Sequence, residues 1–187
     1  MSITKLDQMI TALQGKPKKR LVAAAANDSH TIGAVAQATG LNIIEPILVG
    51  NEAIIRQVCE KEKIDFNQFK IVNEPDEQKA ASKAVDMINA GEADILMKGS
   101  LSTDKYMRAI LNKERGLLPA KATLSHVSVF EVSTYPKLLI TGDVAVIPAP
   151  DFNQKVAITN YVIKVAHALQ IEKPKVAMIA ATEQMLA

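Results

Sequence analysis

The chain of 187 residues has one cysteine, no tryptophan and only 4% aromatic residues. A single thiol, Cys59, can close no internal disulfide and build no cysteine zinc cage, so the framework is neither disulfide-stapled nor a zinc ribbon. That usage fits a reducing compartment, and a cytoplasmic location is expected. With so few aromatics, stacking platforms for single-stranded nucleic acid are lacking. Neither sign of charge dominates: 22 Lys and Arg against 20 Asp and Glu leave a formal +2, which excludes a strongly cationic nucleic-acid binder. The longest uncharged apolar runs are strand-sized, as in Leu21 to Ala26. Met1 to Ile10 contains Lys5 and Asp7 where a signal peptide would have an apolar core. Neither a membrane span nor a membrane partner is therefore expected. What is present is ordinary: 48% apolar and 22% charged residues, enough for one core of a domain of about 100–200 residues.

Short apolar runs alternate with segments of helical period. A leading helix is expected over Thr4 to Leu13. Leu21 to Ala26 reads as a strand, and Asn27-Asp28-Ser29 supplies cap oxygens for a helix from Thr31 to Thr39, closed by Gly40. Pro46 to Val49, Phe69 to Val72 and Ala93 to Met97 read as further strands. Helices follow each, over Glu52 to Glu62, Asp76 to Ala90 and Thr103 to Lys113. This βαβαβαβα order predicts an α/β fold, an open and mostly parallel sheet with helices on both faces. Strands buried on both sides read as continuous apolar runs, as these do. The rhythm then changes. Thr123 to Val132 and Lys137 to Ile140 suit a hairpin or strand pair around Ser133-Thr134-Tyr135-Pro136. A long helix over Gln154 to Leu169 and a last strand over Lys175 to Ala180 complete the order. Lys173-Pro174-Lys175 before that strand echoes Lys16-Pro17-Lys18 before the first, as though a second α/β unit begins there. Without a covering helix, such an edge strand is expected to fray or to pair with another chain.

Ligands of open α/β sheets bind beyond the carboxyl ends of strands. The first such end, Asn27-Asp28-Ser29-His30, has no glycine, which disfavours a dinucleotide-binding turn; Asn27 and Asp28 read as helix caps and His30 as a surface residue of the first helical turn. The fourth, Lys98-Gly99-Ser100-Leu101-Ser102-Thr103, combines a cation, a glycine for close backbone approach, hydroxyls and a helix start, features that suit an anion such as phosphate. An ordinary turn capped by Ser102 or Thr103 fits the same spacing. Arg108 follows within the helix, and a guanidinium fork suits phosphate. Ser125 and His126, adjacent on an expected strand, would point to opposite faces and so form no nucleophile–base pair. Asp143 after Gly142 reads as a turn residue or a site carboxylate. His167 and Cys59 read as helix packing, and the cluster Lys16 to Arg20 as a solvated strand entry. No metal-ligand spacing, nucleophile elbow or close carboxylate pair occurs.

The segment Ala93-Asp94-Ile95-Leu96-Met97-Lys98-Gly99-Ser100-Leu101-Ser102-Thr103 closely resembles the phosphate acetyl/butyryltransferase family, and its butyryl-transferring members most. Glu45 to Gly50, Leu124 to Val127, Ile140 to Asp143 with Pro150-Asp151, and Pro174 to Ala177 extend the resemblance in order from about Arg20 to Glu183. It implies reversible acyl transfer between acyl-CoA, butanoyl-CoA in particular, and inorganic phosphate, with coenzyme A as substrate or product. It implies no permanently bound cofactor and no metal. The implied fold is two α/β domains flanking a cleft, related to isocitrate and isopropylmalate dehydrogenases, in a homo-oligomer when full-length. Lys98, Gly99, Ser100, Thr103 and Arg108 match a cleft-facing loop and its arginine; Ser125, His126 and Asp143 match a second cleft-side segment. On that correspondence residues 1–135 form the N-terminal domain, and 136–187 are a crossover and the incomplete start of the second. Family members are longer, so weak or absent turnover is expected of this chain, and no catalytic residue is assigned. The alternatives are a phosphate acetyltransferase and a non-catalytic fragment that binds CoA or other anions.

Overall fold

The structure, a computed structural model, describes residues 2–179. Its contacts divide the chain into two units, Leu13–Ala122 and Met1–Ala12 with Thr123–Ala187.

The Leu13–Ala122 unit is built on a four-stranded parallel sheet of β1 (Lys19–Ala24), β2 (Ile44–Gly50), β3 (Lys70–Asn73) and β4 (Ile95–Lys98), in the order β3-β2-β1-β4. The expected strands and their parallel pairing are thus present, but β1 begins at Lys19 and stops at Ala24 instead of reaching Ala26, because Ala25 turns into the left-handed region. Side chains alternate faces along a strand, and β1 shows it. Val22 and Ala24 join Val49, Ile47 and the Ala80, Ala84 and Val85 face of α4 (Glu77–Asn89), with Ala109 of α5 (Thr103–Ile110). Ala23 points the other way, with Leu48, towards Ile32 and Val35 of α2 (Ser29–Gly40) and Ile55 and Cys59 of α3 (Glu52–Glu62). Helices therefore cover both faces, and the alanine-rich β1 allows close helix approach on each.

Caps set the helix boundaries. Asp28, Asn51, Asp76 and Ser102 each accept a backbone N–H from the first turn of α2, α3, α4 and α5. Asp76 is thus the cap of α4, and Pro75 stands outside the helix. The helix expected to run to Lys113 ends at Ile110, because Asn112 Oδ1 turns the chain by accepting from Glu114 N and Arg115 N at 3.0 and 2.9 Å. Cys59 is a core residue, 1% exposed, and burial pushes its thiol pKa up. It should resist a maleimide in the native protein and react on denaturation. Cys59→Ser should cost about 1–2 kcal/mol in chemical denaturation, from placing a hydroxyl in an apolar site. Rapid modification of the native thiol would contradict this packing.

In the other unit, β5 (Ser128–Phe130) and β6 (Leu139–Thr141) form an antiparallel pair, and α6 (Phe152–Ala168) starts with a reciprocal capping box between Asp151 and Gln154. Ile3 beside α1 (Leu6–Leu13) clusters with Leu138 and Leu169. Its N–H donates to Leu169 O at 3.0 Å, and Lys5 pairs with Glu131 at 2.8 Å. These ties explain why the first residues group with the last. The β5–β6 hairpin lies wholly within this unit, which begins at Thr123. The strand expected over Lys175 to Ala180 is not formed over 175–179, where no backbone ladder is made; Ala180 lies outside the described residues. His167, expected to be partly buried in packing, is exposed, with Nδ1 at 3.0 Å from Ile171 O beyond the helix end.

Candidate functional site

The sheet order has one reversal. The chain steps from β1 to β2 to β3, then returns to place β4 on the far side of β1. The helices after β1 and β4, α2 and α5, accordingly lie on opposite faces. In open α/β sheets such a switch point parts the two connecting loops and leaves a crevice at the carboxyl ends of the strands. Here those ends are adjacent by register: Lys98 pairs with Ala24. The segments that meet there are Ala25 to Asp28 and Gly99 to Ser102.

The β4–α5 loop is pressed against β1. Gly99 N donates to Ala24 O and Ser100 N to Ala25 O, both at 2.8 Å, and Ser100 Oγ donates to Ala25 O at 2.9 Å. Gly99 is required by that approach: a Cβ would stand 2.6 Å from Ala24 O and closer still to Ala25 O. Ser102 caps α5, accepting from Lys105 N at 3.3 Å. Thr103 is exposed in the first turn of α5, whose leading N–H groups have no partner within the helix. Lys98 is exposed, its Nζ 3.4 Å from Gly99 O. Arg108 extends into solvent and pairs with Asp104 at 2.9 Å in an i, i+4 bridge. Lys98, Gly99, Ser100 and Thr103 are thus in one loop at the switch point, with Arg108 further along α5.

In the turn after β1, Asp28 caps α2. Burial alone would raise its carboxyl pKa, but hydrogen bonds from the Thr31 hydroxyl, the Thr31 N–H and the His30 N–H outweigh it and hold it below the usual carboxylate range. His30 is exposed in that first turn, as its sequence position implied. Asn27 does something the sequence did not disclose: its Oδ1 accepts from Asn51 N at 2.8 Å, tying the β1 turn to the β2 turn. The one available signal was an amide placed directly after an apolar strand.

In the other unit, Asp143 organises the second set. Its Oδ1 accepts from Ala145 N and Val146 N at 2.7 and 2.8 Å; its Oδ2 accepts from Ser125 Oγ and His126 N at 3.0 and 3.1 Å. Burial pushes this carboxyl up, but the Ala145, Val146 and His126 N–H groups and the Ser125 hydroxyl together bring it down to about 2. Ser125 and His126 precede β5 and are not on a strand, so the alternation expected of them does not apply. Their hydrogen bonds still keep them apart as a pair: Ser125 faces Asp143, while His126 Nδ1 lies 3.4 Å from Ser128 Oγ. Among the described residues, no three His, Cys, Asp or Glu side chains gather as a metal site, and no helix is long and apolar enough to cross a membrane.

Comparison with solved structures places the fold among the phosphotransacylases. A branched-chain phosphotransacylase from Enterococcus faecalis V583 aligns with a TM-score of 0.70 at 25% identity, covering 90% of this chain and 58% of that one. The EutD phosphotransacetylase from Staphylococcus aureus, at 17% identity, shares the fold with a TM-score of 0.69, over 89% of this chain and 58% of its own. In sequence, the family described as phosphate acetyl/butaryl transferase matches residues 5–83 and 74–185, and the chain belongs to that family. Phosphate butyryltransferase of Clostridium acetobutylicum is 42% identical over 181 residues, which are 97% of this chain and 60% of that protein. Phosphate acetyltransferase of Thermotoga maritima is 36% identical over 178 residues, 95% of this chain and 60% of that protein. The chain therefore spans about 60% of the length of these curated relatives.

Proposed function

We propose that this protein serves in reversible acyl transfer between acyl-CoA, butanoyl-CoA foremost, and inorganic phosphate, giving an acyl phosphate and coenzyme A. Family membership and the names of its relatives support the reaction class, and the 42% identity to a phosphate butyryltransferase favours the butanoyl substrate. The observation that carries the reading is the switch-point loop. Lys98 and the first-turn N–H groups of α5 offer positive charge and donors where a phosphate or the CoA pyrophosphate can approach. Thr103 adds a hydroxyl, and Arg108, released from Asp104, adds a fork for a second anionic group. Ser125 and His126, held by Asp143, are assigned to substrate positioning.

The chemistry needs alignment more than a covalent intermediate. A phosphate oxygen attacks the thioester carbonyl, negative charge develops on the carbonyl oxygen, and CoA departs as thiolate. Cations and N–H donors that hold phosphate and thioester together lower that barrier through orientation and charge. In fold terms the proposal is the isocitrate dehydrogenase-like arrangement, with the Leu13–Ala122 unit as the core of the first domain and the segment after Thr123 leading into the second. Cytoplasmic location and a homo-oligomeric full-length form belong to the same proposal. The 187-residue chain is expected to bind CoA and to turn over weakly or not at all.

The test is calorimetric titration with CoA, alongside a thiol assay of phosphate-dependent CoA release from butanoyl-CoA. Saturable CoA binding is expected, weakened about fivefold to tenfold in Arg108→Ala by loss of a charge-assisted contact. Unchanged affinity would remove Arg108 from the site. CoA release equally fast without phosphate would contradict the transfer reaction. Faster turnover with acetyl-CoA than with butanoyl-CoA would favour a phosphate acetyltransferase.

A further inference from the structure

The switch point is not an open cleft between two independent loops; side chains and backbone lace it together. Ala25 follows β1 in the left-handed region at φ 55°, a conformation uncommon for a residue with a Cβ. That turn aims its carbonyl oxygen at three donors: Asn27 N at 2.9 Å, Ser100 N at 2.8 Å and Ser100 Oγ at 2.9 Å. One residue on, Ala26 N donates to Val49 O at 3.0 Å, and Asn27 Oδ1 takes the N–H of Asn51, itself the cap of α3. Gly50 makes room for this link, since a Cβ there would stand 2.5 Å from Asn27 Oδ1. The turns after β4, β1 and β2 are thus joined in series, with Ser100 at one end, Ala25 and Asn27 in the middle and Asn51 at the other end.

From this geometry we infer that Ser100 and Asn27 are positioning residues that brace the anion loop, and that Ser100 is not itself a ligand donor. The inference rests on the anion-site reading above and divides its residues by role. A serine hydroxyl has one proton, and that of Ser100 is committed to Ala25 O; its N–H is committed to the same oxygen. An anion that accepts hydrogen bonds finds no donor left on Ser100. The groups still free to donate lie on either side of it: Lys98 Nζ, the Thr103 hydroxyl and the Thr103 and Asp104 N–H groups at the start of α5, that of Lys105 being taken by Ser102 Oγ. A phosphate group is therefore seated over the first turn of α5, and the Ala25–Ser100 contact fixes where that turn begins. Asn27 extends the same control to α3 without touching the ligand.

The experiment combines amide hydrogen exchange of the ligand-free chain with calorimetric titration of CoA, on Ser100→Ala, Ser100→Thr, Asn27→Ala and Asn27→Asp. Loss of one brace bond should speed exchange about fivefold, at the Ser100 amide in Ser100→Ala and the Asn51 amide in Asn27→Ala. Threonine, which keeps the hydroxyl, and aspartate, which keeps an acceptor oxygen, should restore protection. CoA affinity should fall about threefold to tenfold in both alanine variants, although Asn27 meets no ligand. If Ser100 were a direct ligand, its alanine variant would lose affinity with exchange unchanged and Asn27→Ala would bind normally; that pattern overturns the inference. Unaltered exchange in both alanine variants overturns it as well. If the wild-type chain binds no CoA, the acyl-transfer reading fails while the exchange data still decide whether the brace exists.

Discussion

Gly99→Ala is expected to lower unfolding stability by about 3 kcal/mol, as overpacking against atoms that cannot move aside. The added methyl meets two backbone oxygens, those of Ala24 at the end of β1 and of Ala25 just after it, and no flexible side-chain end. Relief requires the β4–α5 loop to lift away, which breaks Gly99 N to Ala24 O and both Ser100 bonds to Ala25 O. The same displacement moves the first turn of α5, so CoA affinity should fall by more than tenfold in whatever fraction stays folded. Urea denaturation and calorimetry measure the two effects. A variant with wild-type midpoint and affinity would show that the loop does not lie on β1 as described.

Asp143→Ala should cost the Thr123-containing unit about 2–3 kcal/mol, because four hydrogen bonds to one carboxylate are lost and the freed donors are only partly re-solvated. The pH dependence has a definite sign. The folded carboxyl titrates at about 2, below its ordinary value near 4 in an unfolded chain. Its contribution is complete above that ordinary value, and is lost as pH falls from about 4 through 2. Asp143→Asn should therefore show a flatter loss of stability between pH 4 and pH 2 than the parent. An acid limb as steep as the parent's would mean that Asp143 is not the group responsible.

The central strands β1 and β2 were legible because strands covered on both faces are continuous apolar runs, as Leu21 to Ala24 and Ile47 to Val49 are. Caps were legible for the same local reason: Asp28 and Ser102 are short polar side chains at the start of a periodic segment. What stayed hidden was non-local. Strand order is invisible in a list of strands, so the switch point, and with it the reason Lys98 lies beside Ala24, emerged only from the register. The role of Ser100 depends on a carbonyl 75 positions earlier in the chain, and that of Asn27 on an N–H 24 positions later. Asp143 had half of a local signature: its bonds to Ala145 and Val146 are a turn motif, but those to Ser125 and His126 reach back across the hairpin. The expected strand over 175–180 failed because an apolar, alanine-rich run becomes a strand only beside a partner, and 175–179 make no ladder.

The central claim is that the loop between β4 and α5 receives an anionic substrate group. The most direct test is amide chemical-shift mapping of the chain during titration with CoA, repeated with inorganic phosphate. The account predicts saturable shifts concentrated on residues 101–104, strongly reduced in Lys98→Ala. Saturable shifts centred elsewhere, or none at all, would contradict it.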